Sequence, residues 1–278
     1  MSKKSDSGPL VIRPLDRENF LNLCELASYR HLLWSMVSKS IRLEFNQLAL
    51  GYFWAVARPL AMVLIFTFIK NRSGANLHVE ISYLLFLYSG IILWFYFRDA
   101  TMAAAKSVLK DAGVMKRIYY PRMITPMAPV LSHHYGLLIA FLPLILLMIA
   151  YGTYPGWRLV LLPLVLLQCS MLVLGIGLIF ACLIIVKADF ERLLNLCLYL
   201  GLFVSPVIFA PEMIPERVRG VYFINPMAGT LLAFRSCLFQ QFPFPLWQFA
   251  YSSGLTALLF FVGARMYRRA ESYLADHL

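Results

Sequence analysis

Acidic residues are scarce in this chain: 14 Asp and Glu stand against 25 Lys and Arg in 278 residues. Charged residues together make up 14%, well short of the roughly 25% that a soluble domain spreads over its surface. That shortage excludes a water-soluble globular fold of this length. Thiols are few as well. Cys24, Cys169, Cys182, Cys197 and Cys237 form no CxxC pair, and four of the five lie in or beside apolar runs. They read as small buried hydrophobes rather than as disulfides or metal ligands. No GxxxxGKS/T loop occurs, which excludes ATP binding by that device. No Asp-rich metal–diphosphate motif lies on a loop. His133–His134 is the one histidine pair; adjacent residues on a helix face different ways, and no second ligand cluster stands at zinc spacing, so the pair reads as the start of a span. Asp189 and Glu191 flank Phe190, but Lys187 and Arg192 lie alongside, so KADFER reads as a solvated charged turn. Nothing here points to an enzyme, to a metal or to a cofactor bound by this chain.

What is abundant is hydrocarbon. Hydrophobic residues reach 60%, mean hydropathy is +0.71, and several runs approach or exceed the ~18 residues needed to cross a bilayer. The fold class is therefore all-α: a polytopic integral membrane protein with six transmembrane helices, an N-terminal amphipathic interface helix and re-entrant outer helices. The net charge of +11 does not indicate nucleic acid, because the basic residues cluster at span ends. They concentrate in the N-terminal segment, the Lys106–Arg122 loop, KADFER and the Arg265–Arg269 tail. By the positive-inside rule this places both termini in the cytoplasm. The expected division is a cytoplasmic tail over 1–28, the interface helix over 29–49, a six-span transmembrane domain over 50–267 and a cytoplasmic tail over 268–278.

The stretch His31–Ile69 organises the rest. Wound at 100° per residue, Leu33, Trp34, Met36, Val37, Ile41, Phe45 and Leu48 fall on one side. Ser35, Ser38, Lys39, Arg42 and Asn46 fall on the other. This is a helix lying in the membrane surface, apolar side in lipid. Glu44 alone spoils the pattern and needs a partner. Gly51 allows a bend, and Tyr52–Ile69 enters the bilayer. Further spans are expected near Ser82–Ala105, Thr125–Tyr151, Trp157–Val186, Leu193–Phe209 and Leu246–Met266, with GTYPG as a tight reversal.

Residues 210–244 are too long and too apolar for a plain hairpin. Pro206, Pro211, Pro215 and Pro226 punctuate the region. Asn225-Pro226 is a cap followed by a first-turn proline, predicting a helix to about Phe239; Glu212–Phe223 is compatible with another. Two short semi-apolar helices suggest an element dipping into the outer leaflet, which survives there only against protein or a watery cavity; a cap on the outer surface is the alternative. Charges inside spans mark Arg58, Arg98 and Asp99. Such residues face a bundle interior or a path, or snorkel to headgroups. Aromatics cluster at Tyr52, Phe53 and Trp54 and again at Trp94–Phe97. They belong to an interfacial belt or line a channel, where rings stack on sugars.

The run KSIRLEFNQLALGYFWAVARPLAMVLIFTFI resembles the start of type-2 ABC transporter permeases that export O-antigen, capsule and teichoic-acid polysaccharides. Leu50, Gly51, Tyr52, Phe53, Trp54, Ala55, Arg58 and Pro59 carry the likeness. KRIYYPRMITP resembles the cytoplasmic loop of these permeases that docks on the ATPase. SPVIF and INPMAGTLLAFR resemble their segment before the last span. Two departures are Arg58, often uncharged in relatives, and KADF, where relatives often carry an Arg-Asp pair.

The resemblance implies a homodimeric channel, two copies of a separate ATPase that binds ATP and Mg, and a polyprenyl-diphosphate-linked polysaccharide, O-antigen first, moved across the bacterial inner membrane. Capsule, teichoic acid or a small molecule are alternative cargoes, and an integral membrane enzyme on lipid-linked sugar is the more distant one. By residue, it implies Lys39, Arg42 and Arg58 at the lipid-diphosphate entrance, and Tyr52, Trp54, Trp94 and Tyr96 along the channel. Val114, Met115, Lys116, Arg117 and Tyr119, within 106–124, would couple to the ATPase. Pro206, Pro211, Pro215, Asn225 and Pro226, around 210–244, would form the outer gate.

Overall fold

The computed structural model describes residues 27–43, 51–73, 81–115, 117, 120–209, 220 and 223–277. Among them there is no strand. The helices are α1 Arg30–Ile41, α2 Gly51–Ser73, α3 Tyr83–Lys110, α4 Ala112–Met115, α5 Ile124–Ala150, α6 Leu162–Val186, α7 Asp189–Val204, α8 Pro226–Leu238 and α9 Leu246–His277. A 3₁₀ turn over Trp157–Leu161 leads into α6.

α3 is the axis of the bundle. YLLFLYSGIILWFYF is apolar all round, and a helix with no polar face has to be enclosed. Nineteen of its 28 residues are buried, and α2, α5, α6 and α7 pack around it. α6 has a second close partner in α9. A Cβ on Gly175 would lie 2.7 Å from the Phe260 nitrogen, and one on Gly263 would lie 2.5 Å from the Gly175 carbonyl. Small residues at such crossings let backbones approach and gain dispersion contact where lipid supplies no hydrophobic drive.

Among the described residues four helices are long and apolar enough to cross a membrane: Phe53–Arg72, Ile124–Ala150, Trp157–Val186 and Leu246–Ala270. α3, with 28 residues, is about 42 Å long and spans the same distance, but Arg98 and Asp99 interrupt its apolar run. α7 has 16 residues, about 24 Å. Outward-facing Phe53, Leu64, Ile65, Phe68 and Ile69 on α2, and Leu196, Leu200 and Phe203 on α7, are exposed, as surfaces against lipid or another chain must be.

Several boundaries differ from the sequence expectation. KADFER is not a loop: only Lys187, in extended conformation, and Ala188 separate α6 from α7, and Asp189 and Glu191 occupy the first turn of α7. Carboxylates are favoured there by the helix dipole. α7 stops at Val204 rather than Phe209, because Pro206 disfavours helix at Ser205 and has no N–H to donate. The α5 terminus ends as expected in a reversal. Gly152 takes φ 63°, its N–H bonds the Ile149 carbonyl at 3.1 Å, and Thr153 N–H bonds the Met148 carbonyl at 2.9 Å, which is a Schellman cap. Helix α1, expected at the membrane surface, buries Val37 and packs on α5, so part of its apolar side rests on protein, while Trp34 is exposed. Glu44 lies outside the described residues, as does most of Glu212–Phe223.

Candidate functional site

At the end of the bundle where α1 and α4 lie, three charges converge. Asp99 accepts from Arg98 Nε at 2.8 Å, with Arg98 Nη2 2.8 Å from the same oxygen, while Arg58 Nη1 of α2 stands 4.0 Å from the other carboxylate oxygen. Arg98 lies over the Phe95 ring, 4.7 Å from its centroid. Two guanidiniums share one carboxylate, so the group keeps a positive charge and an exposed face. Lys39 lies 3.8 Å from Asp111, tying α1 to the end of α3, and Arg42 is exposed. Lys106 bonds Glu191 at 2.7 Å, joining α3 to α7.

α4 is a single turn inside the 106–124 stretch, and it is bolted to the bundle. Met115 and Met123 pack against a cluster of Val108, Leu178, Ala181, Ala264 and Tyr267, drawn from α3, α6 and α9. The Tyr267 hydroxyl donates to the Arg122 carbonyl at 3.2 Å. Tyr120 is buried and its hydroxyl meets Thr125 Oγ1 at 3.0 Å; burial pushes this phenol up, with the Thr125 bond opposing. Val114 is half-buried and Arg117 exposed, whereas Lys116 and Tyr119 lie outside the described residues.

Two of the four aromatics expected along the channel are enclosed by neighbouring helices. Trp94 and Tyr96 are 2% and 4% exposed, inside the protomer rather than on a surface that a passing glycan could touch. Trp94 fills the space above Gly201 of α7. The Tyr96 hydroxyl sits 3.2 Å from His134 Nε2 and 3.0 Å from Ser170 Oγ, and His134 Nδ1 faces the Val130 carbonyl at 2.9 Å. His134 thus serves a polar knot between α3, α5 and α6. Among the described residues no group of His, Cys, Asp and Glu is placed to hold a metal. Trp54 is exposed; the side chain of Tyr52 lies outside the description.

At the opposite end, Asn225 caps α8 as its sequence predicted: its Oδ1 accepts from Met227 N–H at 3.0 Å, and its Nδ2 donates to Ser205 Oγ at 2.7 Å. Pro206 is buried; Pro211 and Pro215 lie outside the described residues.

The family model described as ABC-2 type transporter matches residues 31–239, from α1 through the end of α8. The chain belongs to the ABC-2 type transporter family. It is 27% identical over 209 residues to an O-antigen export system permease protein RfbA of Klebsiella pneumoniae, covering 73% of this chain and 78% of that protein. It is 23% identical over 223 residues to RfbA of Myxococcus xanthus, covering 78% and 84%. It is 22% identical over 238 residues to the polysialic acid transport protein KpsM of Escherichia coli, covering 84% and 91%. This ABC-2 chain is accordingly a multi-pass helical membrane protein of the transporter permease type.

Sequence reading missed two features of this permease. Arg235 lies inside the helix expected from Asn225-Pro226 to about Phe239 and the sequence assigns it no role there, yet it is 1% exposed. It donates through Nη1 to the Pro206 carbonyl and through Nη2 to the carbonyls of Phe86 at 3.0 Å and Val207 at 2.9 Å. Its guanidinium carbon is 3.5 Å from the Phe86 ring centroid. The one available signal was a lone arginine within the apolar run PMAGTLLAFRSCL. Likewise, Arg58 and Asp99 appeared as separate span charges, and their pairing follows from helix packing.

Proposed function

We propose that this permease is the membrane subunit of an ATP-driven exporter that carries a polyprenyl-diphosphate-linked polysaccharide, O-antigen first, across the bacterial inner membrane. The observation that carries the reading is the match over 73% of the chain to proteins named O-antigen export permeases. Two copies form the conduit, each with six spans, α3 and α7 joining the four helices of membrane-crossing length. Both termini face the cytoplasm, where basic residues concentrate.

Lys39, Arg42 and Arg58 receive the lipid diphosphate at the cytoplasmic end, where guanidinium forks suit phosphate oxygens. The α4 loop docks on a separate ATPase, which binds ATP and Mg. Its anchorage to α3, α6 and α9 through Met115 and Tyr267 supports this role, since a loop packed into three helices passes displacement to all of them. The region around Pro206, Pro211, Pro215, Asn225 and Pro226 forms the outer gate.

Deleting the gene and staining surface glycan tests the reading, together with copurification of an ATPase. Loss of surface polysaccharide with lipid-linked glycan retained inside supports it; an unaltered surface overturns it. Capsule export is the second reading, favoured by the coverage of KpsM, 91% of that protein. Loss of capsule with intact O-antigen distinguishes it.

A further inference from the structure

Four consecutive residues after α7 are each tied to another helix. Ser205 accepts from Asn225 at the head of α8. The carbonyls of Pro206 and Val207 accept from Arg235 near the foot of α8. The Ile208 carbonyl faces the Tyr83 hydroxyl at 3.5 Å, at the start of α3. Arg235 also reaches the Phe86 carbonyl, so one guanidinium joins three chain segments.

Filling space does not explain an arginine here. A cavity of about 480 Å³, lined by Phe86, Leu232, Arg235, Phe242 and Phe244 among others, adjoins the side chain, so the site does not demand volume. An apolar residue would avoid the cost of a buried cation altogether. What arginine supplies is a planar fork of donors at fixed angles: Nη1 serves Pro206, and Nη2 serves Phe86 and Val207. The fold makes room for it: a Cβ on Gly90 would run into Nη2.

We infer that Arg235 is a positioning residue that locks the turn 205–208 and α8 onto α3, holding the outer end of the bundle shut at rest. The inference rests on the export reading for its functional meaning. Lysine, a point charge on a flexible stem, cannot reach three carbonyls of two separated segments together.

The test uses the full-length permease with its ATPase, reconstituted in liposomes, and reads resting ion leak. R235A is expected to raise the leak about tenfold, the scale of losing buried charge-assisted hydrogen bonds, and R235K to behave similarly. Methylguanidinium in the buffer, entering the vacated space, is expected to restore the seal in R235A, whereas methylammonium is not. Wild-type leak in R235A overturns the inference, as does equal rescue by both cations or by neither. Where R235A fails to accumulate, G90A keeps the arginine but displaces it; raised leak supports the lock and wild-type leak overturns it. Failure of the wild-type gene to restore surface glycan in a deletion strain sinks the export reading alone, because the leak comparison in liposomes stands apart from cargo.

Discussion

Asp99 on α3 holds Arg98 at 2.8 Å and stands 4.0 Å from Arg58 on α2. The carboxylate is therefore the shared counter-ion of two cations that come from different helices. It keeps both guanidiniums together on one exposed face and limits how firmly either can hold an added anion. Removing it leaves two adjacent positive charges.

The substitution D99N tests this. Arg58 and Asp99 are more than a third exposed, so the pair contributes under about 1 kcal/mol to stability, and thermal unfolding in detergent should move by only a few degrees. Affinity for a lipid diphosphate should rise roughly three- to tenfold, the effect of removing one competing charge at this distance, and export should slow because release slows. Weaker binding of lipid diphosphate by D99N would contradict the arrangement.

The double substitution K39Q/R42Q should lower export about tenfold or more while dimer and ATPase copurify as before. Lys39 is exposed and stands 3.8 Å from the half-buried Asp111; with one partner in water, losing this contact costs about 1 kcal/mol. Normal surface glycan in this variant would remove both residues from the entrance.

Cysteine at Met115 should cross-link to the ATPase, since this residue lies on the loop that the Val108–Tyr267 cluster anchors. Labelling of the same cysteine by an impermeant maleimide in intact cells would place α4 on the outer side and sink the docking role.

The change G175A should destabilise the protein by about 1–3 kcal/mol, as overpacking does. The new Cβ would stand 2.7 Å from the Phe260 nitrogen and 2.9 Å from the Leu259 carbonyl carbon, and backbone atoms cannot swing aside. At Gly254 nothing lies within 4 Å, so G254A serves as the control with stability unchanged or slightly raised. Equal melting temperatures for the two variants would count against close α6–α9 packing.

The amino-acid sequence by itself determined the helical membrane class, the helix over Arg30–Ile41, the reversal at Gly152 and the cap at Asn225-Pro226. All of these are local: hydropathy is read over one helix, and a capping side chain bonds a backbone N–H two residues away. It also carried the family likeness, whose motifs are contiguous. The tertiary structure alone decided which side chains meet. Arg235 reaches Phe86 across 149 positions, Tyr96 reaches Ser170 across 74, and Trp94 packs over Gly201 of α7, where a Cβ would stand 2.9 Å from its ring. Hydropathy cannot separate an apolar ring facing lipid, a conduit or another helix, because all three environments accept it; only the packing of α3 among its neighbours makes that choice.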